Sequence, residues 1–312
     1  MGRLWFCLQL EQFLEKVIVL IENKNSSYWQ MFILVALLAA MNIGIEQLTD
    51  KDITGAEILL LRSVCNLIAA IFIAAYSRKS IIPKQPKLQL GAFICLGLSL
   101  LLIFTAYQYI SAGSVSTLQR LDIPLLVLIA AFGSHSKLSQ TVLAVIAFTL
   151  VATLLILNKT TDEDPIGYFI VLSAVVILCV NTLLQKKIAV TENIQTIILI
   201  SSLSSVFWGG VRCWQTHATF ANIQLDSLLV IVGLSIINLI IFYIVNDLYK
   251  KKSPEVVRYP YLLAAFLTMI TEMIVEHKIF NPILIVGNIS ILIVLTLLVR
   301  GRHKNLMVNK AQ

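Results

Sequence analysis

The chain has few charged residues for its length. Of its 312 residues only 13% are Asp, Glu, Lys or Arg, while 58% are hydrophobic, and the mean hydropathy is +0.87. Soluble domains contain about 25% charged and about 45–50% apolar residues. This composition excludes an ordinary water-soluble domain and predicts an all-α integral membrane protein.

Cysteines and catalytic motifs are equally scarce. The five cysteines show no CxxC or Cys/His spacing, so the sequence predicts neither a disulfide framework nor a metal site. It contains no GxSxG, HExxH or P-loop motif, and no loop is long enough for a nucleotide-binding domain. We therefore expect no cofactor, no enzymatic activity and no ATP-driven pumping.

Long apolar runs are what the chain does have. A membrane-spanning helix needs about 20 mostly apolar residues, and ten segments meet that requirement. The predicted spans are residues 28–48, 55–76, 90–110, 112–133, 139–157, 165–186, 195–212, 226–248, 253–275 and 280–299.

The basic residues predict the orientation of these spans. If the N-terminus is cytoplasmic and ten spans alternate, 17 of the 24 Lys and Arg residues fall on the cytoplasmic side and four on the opposite side. The positive-inside rule expects such a bias. We predict both termini in the cytoplasm and a plasma (inner) membrane location. The net charge of +7 is better explained by this orientation than by a nucleic-acid partner.

The two ends of the chain differ from the spans. In residues 1–27 apolar side chains recur at helical spacing, and Glu11, Glu15 and Lys16 interrupt the run. This pattern predicts an amphipathic helix on the bilayer surface, and an uncleaved poor span is the alternative. Residues 300–312 form a basic cytoplasmic tail.

Similar motifs recur in the two halves of the chain, predicted as repeats 28–157 and 165–299. Each half opens with a span in which an Asn is followed four residues later by Glu or Gln, and its fourth span has an Arg followed by a Pro. The matching residues are Asn42 and Glu46 with Asn181 and Gln185, and Arg120 and Pro124 with Arg258 and Pro260. Because five spans is an odd number, the second repeat would be inverted, as in many transporters.

These stretches resemble the drug/metabolite transporter superfamily, in its EamA-like ten-helix branch. The resemblance rests on AMNIG, AEILLLRSV, FTAYQYISAGSVSTLQRLDIPLLVLIAAF and SPEVVRYPYLLAAFLTMITEMIVEHKIFNPILIVGN, and covers roughly residues 28 to 299. It implies a secondary carrier with a central cavity lined by both halves. The chain departs from the family in having GSHSK where a Gly-Glu pair is usual after the fourth span.

Charged residues inside the predicted spans are the candidate site. Arg120 would lie roughly 12 Å below the outer surface, with Asp122 slightly deeper and pointing to another side of the helix. A charge in the bilayer persists when it is paired, hydrated or bound to a ligand. Arg120 therefore either contacts an anionic substrate group, or Arg120, Asp122 and Arg62 form structural ion pairs between helices. Pro124 removes a backbone donor, so a broken helix is expected near these residues. Arg62 favours the structural role, because the resembled family has an arginine there.

The ninth span carries Arg258 and Glu272 on one helical face. Glu272 is a candidate for proton coupling, because burial disfavours the charged form of a carboxylate; it could equally be a solvated interfacial residue. The remaining candidates for substrate binding are uncharged polar residues, which could also bridge helices: Asn42, Asn181, Asn238 and Tyr107.

The leading hypothesis is a secondary transporter of a small polar metabolite, amino-acid-like or nucleotide-like, with an anionic group. The two inverted five-helix repeats would alternate access to Arg120, Asp122 and Arg258. The alternatives are a membrane-embedded scaffold or a lipid-modifying protein without transport activity. The expected partners are the substrate and the lipid bilayer, and a homodimer stays open.

Overall fold

The computed structural model describes residues 26–49, 51–77, 81–106, 109–110, 115, 118–133, 164–220 and 223–275. These residues are helical or lie in turns and links, and no strand occurs among them. The helices described are α1 (Ser26–Thr49), α2 (Gly55–Ser77), α3 (Pro86–Ala106), α4 (Asp122–Gly133), α5 (Pro165–Thr191), α6 (Ile194–Gln215), α7 (Leu225–Lys251) and α8 (Pro254–Val275).

Six of these helices, α1 to α3 and α5 to α7, are long and apolar enough to cross a membrane. The chain is therefore a multi-pass membrane protein of helical type, as its composition predicts. Residues 1–25 of the predicted amphipathic helix, the predicted spans 139–157 and 280–299 and the basic tail lie outside the described residues.

The helix bounds agree with most predicted spans to within a few residues, but the third and fourth predictions are wrong in detail. Helix α3 begins at Pro86, where the missing N–H of proline is harmless, and ends at Ala106 rather than at residue 110. The predicted span 112–133 is not one continuous helix, because Arg120 and Leu121 form a turn before α4 begins.

Small residues allow the helices to pack closely. Helix α2 packs on α6, and α3 packs on α5 and α6. Gly97 of α3 faces Trp208 of α6 so closely that a Cβ on Gly97 would lie 1.6 Å from Trp208 Cδ1. Such contacts between a glycine and a large side chain bring the two backbones together, as is common between membrane helices.

Polar and apolar side chains are distributed as in a membrane bundle. Large apolar residues such as Phe72, Phe169 and Leu229 are exposed on the outside, where lipid would cover them. Polar residues such as Asp122 and Asn181 are buried between helices. The interior of the bundle is therefore where a functional site is expected.

Candidate functional site

Asp122 is the first residue of α4. The turn before it is closed by a hydrogen bond from Leu121 N to Leu118 O (3.0 Å), and the helix then begins with a hydrogen bond from Leu125 N to Leu121 O (3.1 Å). A carboxylate is favoured at a helix N-terminus, and Pro124 is tolerated there because the first-turn N–H groups have no partner within the helix. The Asp-Ile-Pro sequence therefore starts the helix at this point and places a carboxylate at its end.

Arg258 of α8 contacts this carboxylate. Its Nη1 lies 3.7 Å from Asp122 Oδ2, and its Nη2 donates a 2.5 Å hydrogen bond to Thr182 Oγ1 of α5. The side chains of Arg258 and Asp122 are only 11% and 9% exposed. A buried ion pair thus joins three helices that are far apart in sequence.

Two tyrosines and a second arginine surround the pair. The Arg258 guanidinium lies 4.9 Å from the centre of the Tyr261 ring, within cation–π range. Tyr249 is buried near the end of α7. Arg120 precedes Asp122 by two residues, in the turn before α4. The charged cluster, defined as Arg120, Asp122 and Arg258, therefore has two cations and one carboxylate.

The depth of the charged cluster follows from α5. Cys179 lies near the middle of this 27-residue helix, and its Sγ contacts the backbone oxygen of Asp122 at 3.4 Å. Thr182 is less than one turn further along the same helix. The charged cluster therefore lies near the middle of α5, whereas Arg258 is only the fifth residue of α8, about 6 Å along that helix from its start.

Lys186 closes the space between α5 and α7 one turn beyond Thr182. Its Nζ donates hydrogen bonds to the backbone oxygens of Tyr249 and, at 2.7 Å, Lys252. These carbonyls belong to the C-terminus of α7, where a cation satisfies unpaired acceptors. The contact ties the two helices together on one side of the charged cluster.

The structure brings together some of the predicted site residues but not all of them. Arg120, Asp122 and Arg258 form the charged cluster, and Asn181 is the buried neighbour of Thr182. Asn42 is elsewhere: its Nδ2 donates a 3.3 Å hydrogen bond to Thr268, which is about 15 Å along α8 from Arg258.

Asn238 is also distant, because it is half-buried in α7 about 16 Å along the axis from Tyr249. Tyr107 lies outside the described residues. The backbone of Glu272 is in α8, but the structure does not describe its side chain. Its proton-coupling role therefore stays a prediction.

Thr182, Tyr249 and Tyr261 were missed by the sequence reasoning. Tyr261 had a usable signal, because it follows Arg258 by three positions and therefore lies on a neighbouring part of the same helix face. Thr182 is adjacent to the predicted Asn181. Tyr249 precedes a run of three lysines at the end of α7, and nothing in its sequence context pointed to the charged cluster.

The donors around the charged cluster suit an anion rather than a metal ion. A guanidinium offers five N–H donors that match a carboxylate or phosphate. Across the described part of the chain, no group of three or more His, Cys, Asp and Glu residues could hold a metal ion. The arrangement can bind an anionic group and exchange it for the Asp122 carboxylate.

No family model matches this sequence, and no curated protein matches it. Twenty-eight chains of solved structures are similar to it. One of them, a crystal structure of a protein, has 16% sequence identity and a TM-score of 0.69, and the alignment covers 89% of this chain and 99% of that chain. At this identity the likeness is one of fold, and the chain shares its fold with a solved structure over most of its length.

Proposed function

We propose that the protein is a secondary transporter of a small polar metabolite with an anionic group, amino-acid-like or nucleotide-like. The observation that carries the proposal is the buried ion pair of Asp122 with Arg258. It is buried inside the bundle and joins a helix of the first predicted repeat to a helix of the second. A group bound there would contact both halves, as alternating access requires.

The geometry of the ion pair supports exchange with a substrate. A charge-assisted N–H···O hydrogen bond is usually about 2.7–2.9 Å long, whereas Arg258 Nη1 lies 3.7 Å from Asp122 Oδ2. Thr182 accepts one hydrogen bond, and among the described residues the buried Nε of Arg258 has no acceptor. A substrate carboxylate or phosphate would therefore gain hydrogen bonds that Asp122 does not make.

The packing of the helices supports an inverted repeat. Suppose that α1 to α4 correspond in order to α5 to α8. Replacing each helix by its counterpart then turns every contact between the two halves into another observed contact between them. The contact of α3 with α5 corresponds to that of α7 with α1, and the contact of α4 with α5 corresponds to that of α8 with α1. Helix α2 packs on its own counterpart α6, and α4 packs on α8.

The prolines refine the correspondence between the repeats. Asp122 lies two residues before Pro124, and Arg258 lies two residues before Pro260. Aligned in this way, Asp122 rather than Arg120 is the counterpart of Arg258. When two equivalent positions contact each other, their contact lies on the axis that relates the repeats. Asp122 and Arg258 would be such a pair, and their opposite charges make the contact attractive.

Two carboxylates, Glu57 and Glu192, make equivalent contacts at the two ends of the bundle, and these contacts fit the same axis. Glu57 Oε1, at the start of α2, accepts a 2.8 Å hydrogen bond from Phe220 N in the link between α6 and α7. Glu192 Oε1, between α5 and α6, accepts a 2.7 Å hydrogen bond from Gln85 N before α3. Exchange of the repeats converts one contact into the other, so each end of the bundle has one such clamp.

The proposal is tested by counterflow in proteoliposomes that contain the full chain. The substrates are a radiolabelled panel of anionic and zwitterionic amino-acid-like and nucleotide-like metabolites. The variants are Arg258→Gln and Asp122→Asn. The matched control is Asp226→Asn, which removes the exposed ion pair of Asp226 with Lys51.

We expect counterflow of at least one anionic compound by the wild type and by the control. Arg258→Gln should reduce it roughly 10–100-fold, the loss expected for one charge-assisted hydrogen bond. Absence of counterflow for the whole panel by folded wild-type protein would contradict the proposal, as would full activity of Arg258→Gln.

The remaining predictions belong to the same proposal. We propose that the chain is a carrier and not an enzyme, that it belongs with the drug/metabolite transporters, and that both termini are cytoplasmic in a plasma membrane. Labelling a cysteine placed at Lys51 from the outside of intact cells, in a cysteine-free background, tests the orientation. Proton coupling through Glu272 predicts that Glu272→Gln keeps counterflow and loses pH-driven uptake.

A further inference from the structure

Arg62 of α2 is a second arginine in the interior of the bundle. Its neighbours one turn away on the same helix face, Ile58, Leu59 and Asn66, are only 2%, 1% and 2% exposed. The apolar residues that face outward, such as Ile68 and Phe72, lie further along the helix. Arg62 therefore projects from a buried face of α2 between other helices.

The contacts of Arg62 differ from those of Arg258. Its Nη1 lies 3.5 Å from Met41 Sδ of α1, and a thioether sulfur is a weak acceptor. Its buried Nε has no hydrogen-bond partner among the described residues. The carboxylates that the structure describes in ion pairs contact other cations, so none of them compensates Arg62.

Neighbouring polar groups fix the position of Arg62 without neutralising it. Ser235 Oγ of α7 hydrogen-bonds the backbone oxygen of Arg62 at 3.3 Å and that of Ile231 at 2.7 Å. Asn66, one turn along the same face, is buried, and its amide oxygen has no partner in the described part of the chain. That oxygen can only accept a hydrogen bond, so it is the amide N–H group of Asn66 that would donate to an anion beside Arg62.

A buried cation that lacks a counter-charge is costly in a membrane unless a ligand or water compensates it. We propose that Arg62, together with the Asn66 amide, is a binding site for a small anion. The shared chemistry is a single compact negative charge, either an inorganic anion or the carboxylate or phosphate of a metabolite. The site is distinct from the charged cluster, because Arg62 contacts α1 and α7 whereas Arg258 contacts α4 and α5.

The site lies in one half of the bundle. Arg62 is seven residues after the start of α2, which corresponds to about 10 Å along the helix axis. Under the proposed orientation this half faces the exterior. Binding there does not depend on transport, so the inference can hold even if the protein carries no metabolite.

Thermal unfolding of the full chain in lipid nanodiscs tests the site. The transition temperature is measured while sodium chloride, sodium acetate or sodium phosphate replaces a bulky HEPES salt at constant ionic strength. A ligand that binds the folded state raises this temperature in a saturable way. The variants are Arg62→Gln, Arg62→Lys and Asn66→Leu, and the controls are Lys51→Gln, which removes an exposed cation, and Glu46→Gln.

We expect at least one anion to raise the wild-type transition temperature by several degrees, and both controls to keep this rise. Arg62→Gln should lose it, Arg62→Lys should shift it to higher anion concentration, and Asn66→Leu should weaken it. A response to chloride alone identifies an inorganic anion, and a response to acetate or phosphate identifies an oxyanion.

Three outcomes would overturn the site: no saturable rise with any anion in the wild type, an unchanged rise in Arg62→Gln, or loss of the rise in Lys51→Gln alone. Loss of the anion response in Glu46→Gln would assign the effect to that acid instead. If Arg62→Gln does not fold, Arg62→Lys and Asn66→Leu decide. These readouts are independent of counterflow, so failure of the transport proposal would be seen separately.

Discussion

Arg258 and Arg62 both lie inside the bundle, and their surroundings are different. Arg258 has a carboxylate at 3.7 Å, a hydroxyl at 2.5 Å and an aromatic ring at 4.9 Å. Arg62 has a thioether at 3.5 Å and no carboxylate among the described residues. The comparison separates a cation compensated by a carboxylate from one that no carboxylate of the described residues compensates.

The difference predicts effects of opposite sign on stability. Removing one partner of a buried ion pair leaves the other charge uncompensated, which costs about 3–5 kcal/mol. Removing a buried cation that has no partner eliminates a cost instead. Replacing Arg258 or Asp122 by a neutral residue should therefore destabilise the protein, whereas replacing Arg62 by a neutral residue should not.

The largest effect is expected for Asp122→Leu. It leaves Arg258 without its carboxylate and should lower the free energy of unfolding by about 3–5 kcal/mol, measured by denaturant titration in mixed micelles. The double variant Asp122→Leu/Arg258→Met removes both charges and should recover most of this loss while staying inactive in counterflow. Equal destabilisation by the single and double variants would refute the pairing.

Arg62→Met should act in the other direction. In a buffer without small anions we expect its free energy of unfolding to equal or exceed that of the wild type, by at most about 2.5–3.5 kcal/mol, the cost of placing arginine in the middle of a membrane helix. Denaturant titration in HEPES salt measures it. A strong loss of stability would show that Arg62 is compensated within the protein.

An uncharged pair between two helices should have a smaller effect. Thr268→Val removes the hydrogen bond with Asn42 and should cost about 0.6 kcal/mol, the average for such bonds between membrane helices. Thr271→Val is the control, because both threonines also bond the backbone one turn earlier in α8. A cost no larger than that of the control would mean that the Asn42 bond contributes nothing.

The smallest effect is expected for Asp226→Asn. Lys51 and Asp226 form an exposed ion pair with side chains 48% and 57% exposed, and solvent and salt screen such pairs strongly. The transition temperature of the variant should equal that of the wild type at 150 mM salt. A clear decrease would show that this surface pair contributes to stability as the buried pair does.

The membrane class and most helix bounds could be read from the sequence, since about 20 apolar residues between polar links leave few alternatives. Pro124 also indicated a broken helix in the fourth span, but the sequence did not give the position of the break, which local backbone geometry decides. The stretch around Arg120 and Leu121 is a turn, and the carboxylate of Asp122 at the start of α4 is a local reason for the helix to begin there. Hydrophobicity alone does not detect such an interruption.

The pairing of Asp122 with Arg258 could not be predicted from the sequence. Both residues were candidates, but they were placed on separate helices and assigned to a substrate or to other ion pairs. Their contact depends on the packing of α4 on α8 and on Thr182 of α5. Tertiary packing of this kind leaves no periodic signal in the chain.

The two carboxylate clamps, Glu57 with Phe220 N and Glu192 with Gln85 N, have a consequence for sequence variation. In each clamp one partner is a side chain and the other is a backbone N–H, which every residue except proline possesses. Among orthologous sequences, positions 57 and 192 should therefore stay acidic. Position 220 has a φ of 54° and should favour residues that tolerate the left-handed region, and position 85, which precedes Pro86, should favour residues that tolerate an extended backbone. Proline should be absent from both positions, because it has no N–H to donate.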